Sequence, residues 1–313
     1  AAARRHRAGG QAFRAGGQAF RAGDGRVGWL LLPYAAGLVL LVLLPALLSF
    51  GLAFFRADGL SPPRFVGGLN FTLVFTDELY TLSVANSLAL VILPAPVRVL
   101  GAFLLAWLAR RGRLSALLRA AVFLPSAVPA SAFALAWLWV LNPLYGPLNR
   151  LLAGLGLPGP GWLADGQWAR PGILLLLLWL VGEGFLVALA ALYDVPPELE
   201  DAAAVDGAGA AATLRHVLLP LLAPVLALLA ARDAVLLLPD AYVFARLLTG
   251  GGPYYATYTL PQFIHEAAFD RLDFGVAAAA VWLLYALTGL LLVVVYLVAR
   301  QWNVGTSESD FLV

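Results

Sequence analysis

The chain has 313 residues, 62% of them hydrophobic and 12% charged, with a net charge of +2 and a mean hydropathy of +0.86. A soluble domain carries about 25% charged residues, so this composition excludes an ordinary soluble protein and places the chain among membrane proteins. All 20 basic residues are arginine and cysteine is absent, which excludes a P-loop or Schiff-base lysine, thiol catalysis, disulfides and Cys-type zinc sites in this chain.

Residues 1–26 read as a basic, low-complexity tail. "RAGGQAF" occurs at Arg7–Phe13 and Arg14–Phe20, and a third copy begins at Arg21. Such a tail is expected to be a disordered arm lying near anionic lipid. Methionine is absent too, so the true start is expected upstream of Ala1. Six apolar stretches follow, each close to the about 20 residues that cross a bilayer. They are Val27–Phe55, Val84–Ala109 with Arg98 inside, Ala120–Leu141, Gly172–Tyr193 with Glu183, Val217–Leu238 with Arg232 and Asp233, and Phe274–Ala299. The first is too long for the h-region of a signal peptide, about 7–15 residues, and no small-residue cleavage site follows it, so it is expected to stay in the protein. Backbone in lipid must satisfy itself, and runs of this length suit helices rather than barrel strands. The expected fold is an all-α integral membrane protein of six helices, spanning 27–302, with a short tail at 303–313.

Arginine placement orients these helices. Arg4, Arg5, Arg7, Arg14, Arg21 and Arg26 precede the first, Arg110, Arg111, Arg113 and Arg119 join the second to the third, and Arg300 follows the last. Both termini are therefore expected in the cytoplasm, with the connections around 56–83, 142–171 and 239–273 facing out. One inward connection breaks the basic pattern. Residues 194–216 carry five acids against Arg215.

Pro196 and Pro197 can open a helix there, and Glu198, Glu200 and Asp201 would complement its dipole. Asp201–Val205 is alanine-rich, and Gly207 or Gly209 ends or bends the segment. The expectation is a short acidic surface helix that turns at Gly207 and feeds the fifth span, whose first turns Pro220 and Pro224 loosen. Within the chain its acids could meet Arg215 and the arginines of the other inward connection. A partner protein is the economical account of the rest; the bland alternative is a solvated loop that keeps acids out of lipid.

The spacing Asp201-Ala202-Ala203, three residues, Gly207, nine residues, Val217-Leu218-Leu219-Pro220 resembles the EAA loop of ABC-transporter permeases, the membrane subunits of binding-protein-dependent importers. Asp stands for Glu and Val for Ile; every distance is kept. Several further stretches resemble the carbohydrate branch of that family, the maltose and glycerol-phosphate type. They are "VANSLAL" (Val84–Leu90), Leu118–Asn149, Trp162-Leu163 and "LTGGGP" (Leu248–Pro253). The likeness runs over about residues 29–302.

The resemblance implies a type I importer permease fold, with residues 195–216 as a coupling helix seated in a groove of a cytoplasmic ATPase. Glu198, Glu200, Asp201, Ala202, Ala203, Asp206, Gly207, Leu219 and Pro220 would form that coupling element, Asp201 touching the ATPase and Gly207 permitting the turn. It also implies a second homologous permease, two ATPase subunits that bind ATP and magnesium in place of this chain, and an extracytoplasmic solute-binding protein delivering a sugar. Alternating access would follow from ATP-driven motion of the coupling loop. This chain itself would hold no cofactor and catalyse nothing, and it would sit in a bacterial inner membrane.

Charges within apolar spans are costly. Arg98, Glu183, Arg232 and Asp233 sum to zero, so pairing across the bundle is feasible. Arg232 and Asp233 are neighbours pointing about 100° apart on a helix, so each is expected to need a partner elsewhere. Two readings stay open: structural ion pairs, or groups lining a water-filled path to hydrogen-bond sugar hydroxyls. Glu183, between Gly182 and Gly184 and four residues from Trp179, is the foremost path candidate, followed by Asn86, Tyr242 and Tyr285.

Other chemistry is not supported. His265–Phe269 begins like a zinc-protease motif but ends in Phe, and His6 and His216 lie far away in sequence. Asn70-Phe71-Thr72 is a formal glycosylation triplet of little weight. The arginines mark helix ends and form no nucleic-acid stripe. Two rivals to the importer reading are a stand-alone secondary transporter or channel using an intramembrane carboxylate relay, and a non-transporting scaffold.

Overall fold

The computed structural model describes residues 25–110 and 115–302. The repeated tail before Gly25, Arg111 and Arg113, and the tail at 303–313 lie outside the described residues. The chain divides into two units, residues 1–51 and 52–313.

In the first unit, α1 (Gly25–Leu38) continues through a π-helical turn, Val39–Leu43, into α2 (Leu44–Leu52). The widened turn precedes Pro45, and the Leu44 amide bonds the Val39 carbonyl five residues back. A proline ring crowds the carbonyl four residues before it, and inserting one residue into the turn relieves that clash.

The second unit opens with a two-residue antiparallel ribbon, β1 (Phe55–Arg56) on β2 (Arg64–Phe65), pairing Phe55 with Phe65. Helices α3 (Leu69–Thr76), α4 (Glu78–Ile92) and α5 (Pro94–Arg110) follow, then α6 (Ser115–Phe123), a 3₁₀ turn at Leu124–Ala127 and α7 (Ala130–Val140). Next come α8 (Pro147–Gly154), α9 (Gly166–Trp179), α10 (Gly182–Tyr193), α11 (Pro197–Val205) and α12 (Ala210–Thr213). A second π-turn, Leu214–Leu218, leads into α13 (Leu219–Leu248), and it too stands just before a Leu-Pro pair, Leu219-Pro220. The chain ends in α14 (Leu260–His265), a further π-turn at Glu266–Asp270, and α15 (Phe274–Trp302).

Five helical stretches are long and apolar enough to cross a membrane. The sixth expected span, Ala120–Leu141, is not a straight helix: residues 116–127 and 130–140 meet at 103°. Pro125 and Pro129 flank the corner, and proline cannot carry the helical ladder through it. The fourth span also departs from expectation, breaking at Leu180-Val181 between α9 and α10. The fifth departs the other way, running ten residues beyond Leu238 because Pro239 is accommodated within α13.

Three apolar cores organise the second unit. One gathers Leu90, Phe133, Ile173, Leu177 and Phe244 from α4, α7, α9 and α13. A second, beside α11, joins Ala102, Phe103 and Ala106 of α5 to Phe185, Leu189 and Leu192 of α10 and to Leu222 and Leu226 of α13. The third, at the opposite end, packs Tyr80, Tyr258 and Phe263 against the alanine run Ala277–Ala280 of α15. Small residues there let backbones approach closely, as membrane helix packing requires.

Candidate functional site

The acidic connection folds as its residues dictate. Pro196 and Pro197 start α11, and Glu198 and Glu200 occupy its first turn. Its end is a Schellman motif: Ala208 N–H donates to the Ala203 carbonyl at 2.9 Å and Gly207 N–H to the Ala204 carbonyl at 3.1 Å. Gly207 takes φ +82, a conformation in which any Cβ costs about 1–2 kcal/mol. The turn expected at Gly207 is thus where the chain reverses toward α12.

Only one side of α11 serves the chain itself. Ala203 is buried, and Glu200 accepts an ion-paired hydrogen bond from Arg110 at 2.5 Å, with side chains 9% and 13% exposed. Glu200 is therefore not part of the free acidic face: it meets an arginine of the other inward connection, one of the pairings open to these acids. Glu198, Asp201, Ala202, Asp206 and Gly207 are exposed, and so are Leu199 and Val205, the latter at 88%. The free face mixes carboxylates with apolar side chains. Leu219 is half-buried and Pro220 exposed where α13 begins.

The four intramembrane charges converge. Arg98 Nε lies 3.0 Å from Asp233 Oδ2, both side chains under a tenth exposed, and Arg98 Nη1 donates to the Leu177 carbonyl at 3.2 Å. That carbonyl is available because Val181 N–H, its helical partner in an unbroken span, donates to Trp179 instead. On the other side of the break, Gly182 N–H donates to Ser126 Oγ at 3.0 Å. Two irregular helices thus meet there. A Cβ on Gly182 would stand 2.6 Å from Ser126 Oγ and 2.8 Å from the Val122 carbonyl, so only glycine permits the approach.

Arg232 donates to Asp233 Oδ1 at 3.0 Å and pairs with Glu183. Each neighbour thus has the expected partner elsewhere, Arg98 for Asp233 and Glu183 for Arg232, and the long arginine side chain also reaches back across the 100° offset to bond Asp233. Asp240, seven residues on along the same helix, is a charge that sequence reading missed. The expected span stops at Leu238, and the four-charge sum of zero becomes −1 once Asp240 is counted. A small cleft beside these groups is lined by Arg98, Val99, Val181, Gly184, Leu229 and Arg232.

The remaining path candidates separate. The Glu183 side chain is 60% exposed, and Trp179 is half-exposed with its ring edge-on to Trp137. Tyr285 is exposed beside Trp282, and Tyr242 is half-buried against the His265 ring. Asn86 differs. It is 1% exposed, donates to the carbonyls of Tyr255 and Tyr258 at 2.9 Å each, and accepts from Arg170 at 2.7 Å. Its polar atoms are committed inside the chain, a correction to its place on a substrate path. Arg170 escaped notice because it lies two residues before the apolar run starting at Gly172; an unpaired arginine beside a span was the available signal.

The Asn70 triplet is likewise structural: its amide donates to the Ala53 and Phe55 carbonyls and is 3% exposed. Tyr258 donates to Glu266 Oε2 at 2.6 Å, and burial, then that bond, pushes its phenol above the usual range. Among the described residues no three metal-ligating side chains cluster.

A helical membrane protein with broken spans around an internal charge cluster, and a short two-faced helix outside it, is built like a transport subunit. The chain belongs to the family of binding-protein-dependent transport system inner membrane components, whose model matches residues 98–303. It is 31% identical to the sulfoquinovosyl glycerol transport system permease protein SmoG of Agrobacterium fabrum, across 83% of this chain and 85% of that protein. It is 33% identical to the diacetylchitobiose uptake system permease protein NgcF of Streptomyces coelicolor, across 87% and 81%. Its fold resembles a crystallised bacterial alginate ABC transporter in complex with an alginate pentasaccharide-bound periplasmic protein, with a TM-score of 0.73, 21% identity, and 90% and 94% coverage. The chain is an inner-membrane permease component.

Proposed function

We propose that this permease imports a carbohydrate. It pairs with a second homologous permease, works with two cytoplasmic ATPase subunits, and receives its sugar from an extracytoplasmic binding protein. The relatives support this reading, since their names attach to a sulfoquinovosyl glycerol and a diacetylchitobiose system. Both termini and α11 then face the cytoplasm.

One observation carries the coupling role. A surface helix leaves Glu198, Asp201 and Asp206 exposed together with Leu199 and Val205, while only its Ala203–Glu200 side serves the chain. Exposed apolar side chains amid carboxylates are what a protein partner buries. Asp201 faces that ATPase, and the Gly207 turn fixes the angle at which α11 is presented.

Inside the membrane the two ion pairs divide the work. Arg98–Asp233 is buried and sets helix register. Glu183–Arg232 is partly exposed within a span, where lipid is a poor surrounding for charge, so it faces the substrate path with Trp179 near by. Its carboxylate and guanidinium offer acceptors and donors to sugar hydroxyls, and the indole offers a face for the apolar side of the ring.

The test is ATP hydrolysis by the purified assembly, with a loaded binding protein and a panel of di- and oligosaccharides. Asp201→Arg and Gly207→Pro are expected to preserve expression while abolishing sugar-stimulated hydrolysis or ATPase association. Unchanged stimulation in both variants would make α11 a solvated connector and remove the coupling role.

A further inference from the structure

Of the acids in the α11 connection, Glu200 alone is drawn inward, and it meets the last residue of α5. Arg110 closes that helix, and the contact lies almost out of solvent. Twelve residues earlier on the same helix Arg98 makes the buried pair with Asp233 and holds the Leu177 carbonyl. The two arginines are about 18 Å apart along an axis rising 1.5 Å per residue. No proline falls between them, so nothing interrupts the backbone ladder there. Val99, Ala102, Phe103, Ala106 and Ala109 pack that segment against α10 throughout.

These contacts form one mechanical line. At one end α5 grips α11; at the other it grips the carbonyl exposed by the Leu180-Val181 break, together with α13. We propose that α5 is a strut that carries displacement of α11 to the α9–α10 break, with Arg110–Glu200 and Arg98–Asp233 as its positioning contacts. Neither pair touches substrate or nucleotide in this role. The inference rests on α11 being the coupling helix, and it adds the route by which that helix reaches the membrane interior. A break whose free carbonyl and free amide are held by side chains from other helices, Arg98 and Ser126, can change its bend without leaving either group unpaired, provided those helices move with it.

This chain has no cysteine, so labels can be placed on it at chosen sites once any cysteines of the partner subunits are replaced. Gln167 and Val187 are exposed on either side of the break, about 30 Å apart in a continuous helix. Nitroxides placed through Gln167→Cys and Val187→Cys, in the full complex with its ATPase, are compared without nucleotide and after trapping with ATP and vanadate. A trapped-state shift in distance is expected. Glu200→Gln should abolish it while ATPase co-purification and basal hydrolysis stay within about twofold, and coupling between ATP and the break should fall about fivefold or more. The exchanged pair Arg110→Glu with Glu200→Arg should restore the shift, which a merely structural loss would not.

A shift that survives Glu200→Gln, a parent complex without any shift, or failure of the exchanged pair would each overturn the strut. Loss of the ATPase subunit from Glu200→Gln would overturn it too, making the pair a docking contact. Asp201→Arg separates the premises: if it leaves ATPase association and hydrolysis untouched, the coupling reading of α11 fails, whatever the strut shows.

Discussion

The two ends of the second unit solve the same problem in opposite ways. At the far end the connection after α13 is held from many sides. Asn86 and Arg170 bind the carbonyls of Tyr255, Ala256 and Tyr258, Ser87 accepts from the Leu260 amide, and Thr257 bonds the Gly252 carbonyl. Tyr254 and Tyr255 are held there at φ 48 and 59, a region that non-glycine residues visit only when their surroundings insist. Among the described residues the α11 connection is anchored by Val195, Ala203 and the Glu200–Arg110 pair, while Glu198, Asp201, Val205 and Asp206 stay exposed. A connection that satisfies its own polar groups is a fixed platform. One that leaves apolar and acidic side chains in water is finished by a partner and is free to follow it.

That contrast can be broken by substitution. The largest effect is expected at the fixed end: Asn86→Ala strips a buried and a part-buried carbonyl of their donor and leaves Arg170 short of an acceptor. It should cost about 3 kcal/mol, since orphaned buried groups cost about 1–3 kcal/mol each. A thermal unfolding midpoint in lipid nanodiscs checks it; a shift no larger than that of Val205→Ser would refute the rigid platform. At the α11 end, Gly207→Ala meets open space but forces φ +82 on a residue with a Cβ, for about 1 kcal/mol. Stability should barely move, whereas substrate-stimulated hydrolysis should fall; equal losses in both would erase the distinction between the ends.

The smallest effect concerns Asp58 in the ribbon turn. Backbone amide donation from Ser61, then its hydroxyl, and the Leu60 amide hold this carboxyl down to about 2. A lowered value in the folded state contributes stability that is present above the unfolded value of 3.8 and is lost as pH falls through about 2. Amide exchange at Leu60 and Ser61, corrected for intrinsic rates, should therefore be flat between about pH 5 and 8. Asp58→Asn should speed it across that whole window.

Sequence patterning reached far into this molecule where its signals are local. Apolar length found the five helices long enough to cross a membrane and the bent pair at 116–140, and proline and glycine marked the two ends of α11. The Asp201–Pro220 spacing identified the helix and turn that the structure shows, with Gly207 left-handed as the turn requires. Local rules were weaker at the interruptions. The fifth stretch was expected to end at Leu238, yet Pro239 sits inside α13, because a neighbouring bundle can absorb a missing hydrogen bond. Leu180-Val181 carries no breaking residue itself, and Gly182 and Gly184 just beyond it were the local signal of the break in the run from Gly172 to Tyr193.

That the charges could pair was legible in the sequence; which partner each one takes was not. That Arg98 would face Asp233, that Glu200 would turn inward to Arg110 while Asp201 stays outside, and that Asn86 would be spent on Tyr255 and Tyr258 depend on how helices far apart in the chain rotate against one another. Hydropathy fixes which residues lie in the membrane, since transfer free energy belongs to each side chain alone. A partner for a charge is a property of two positions in space, and only the packed helices decide it.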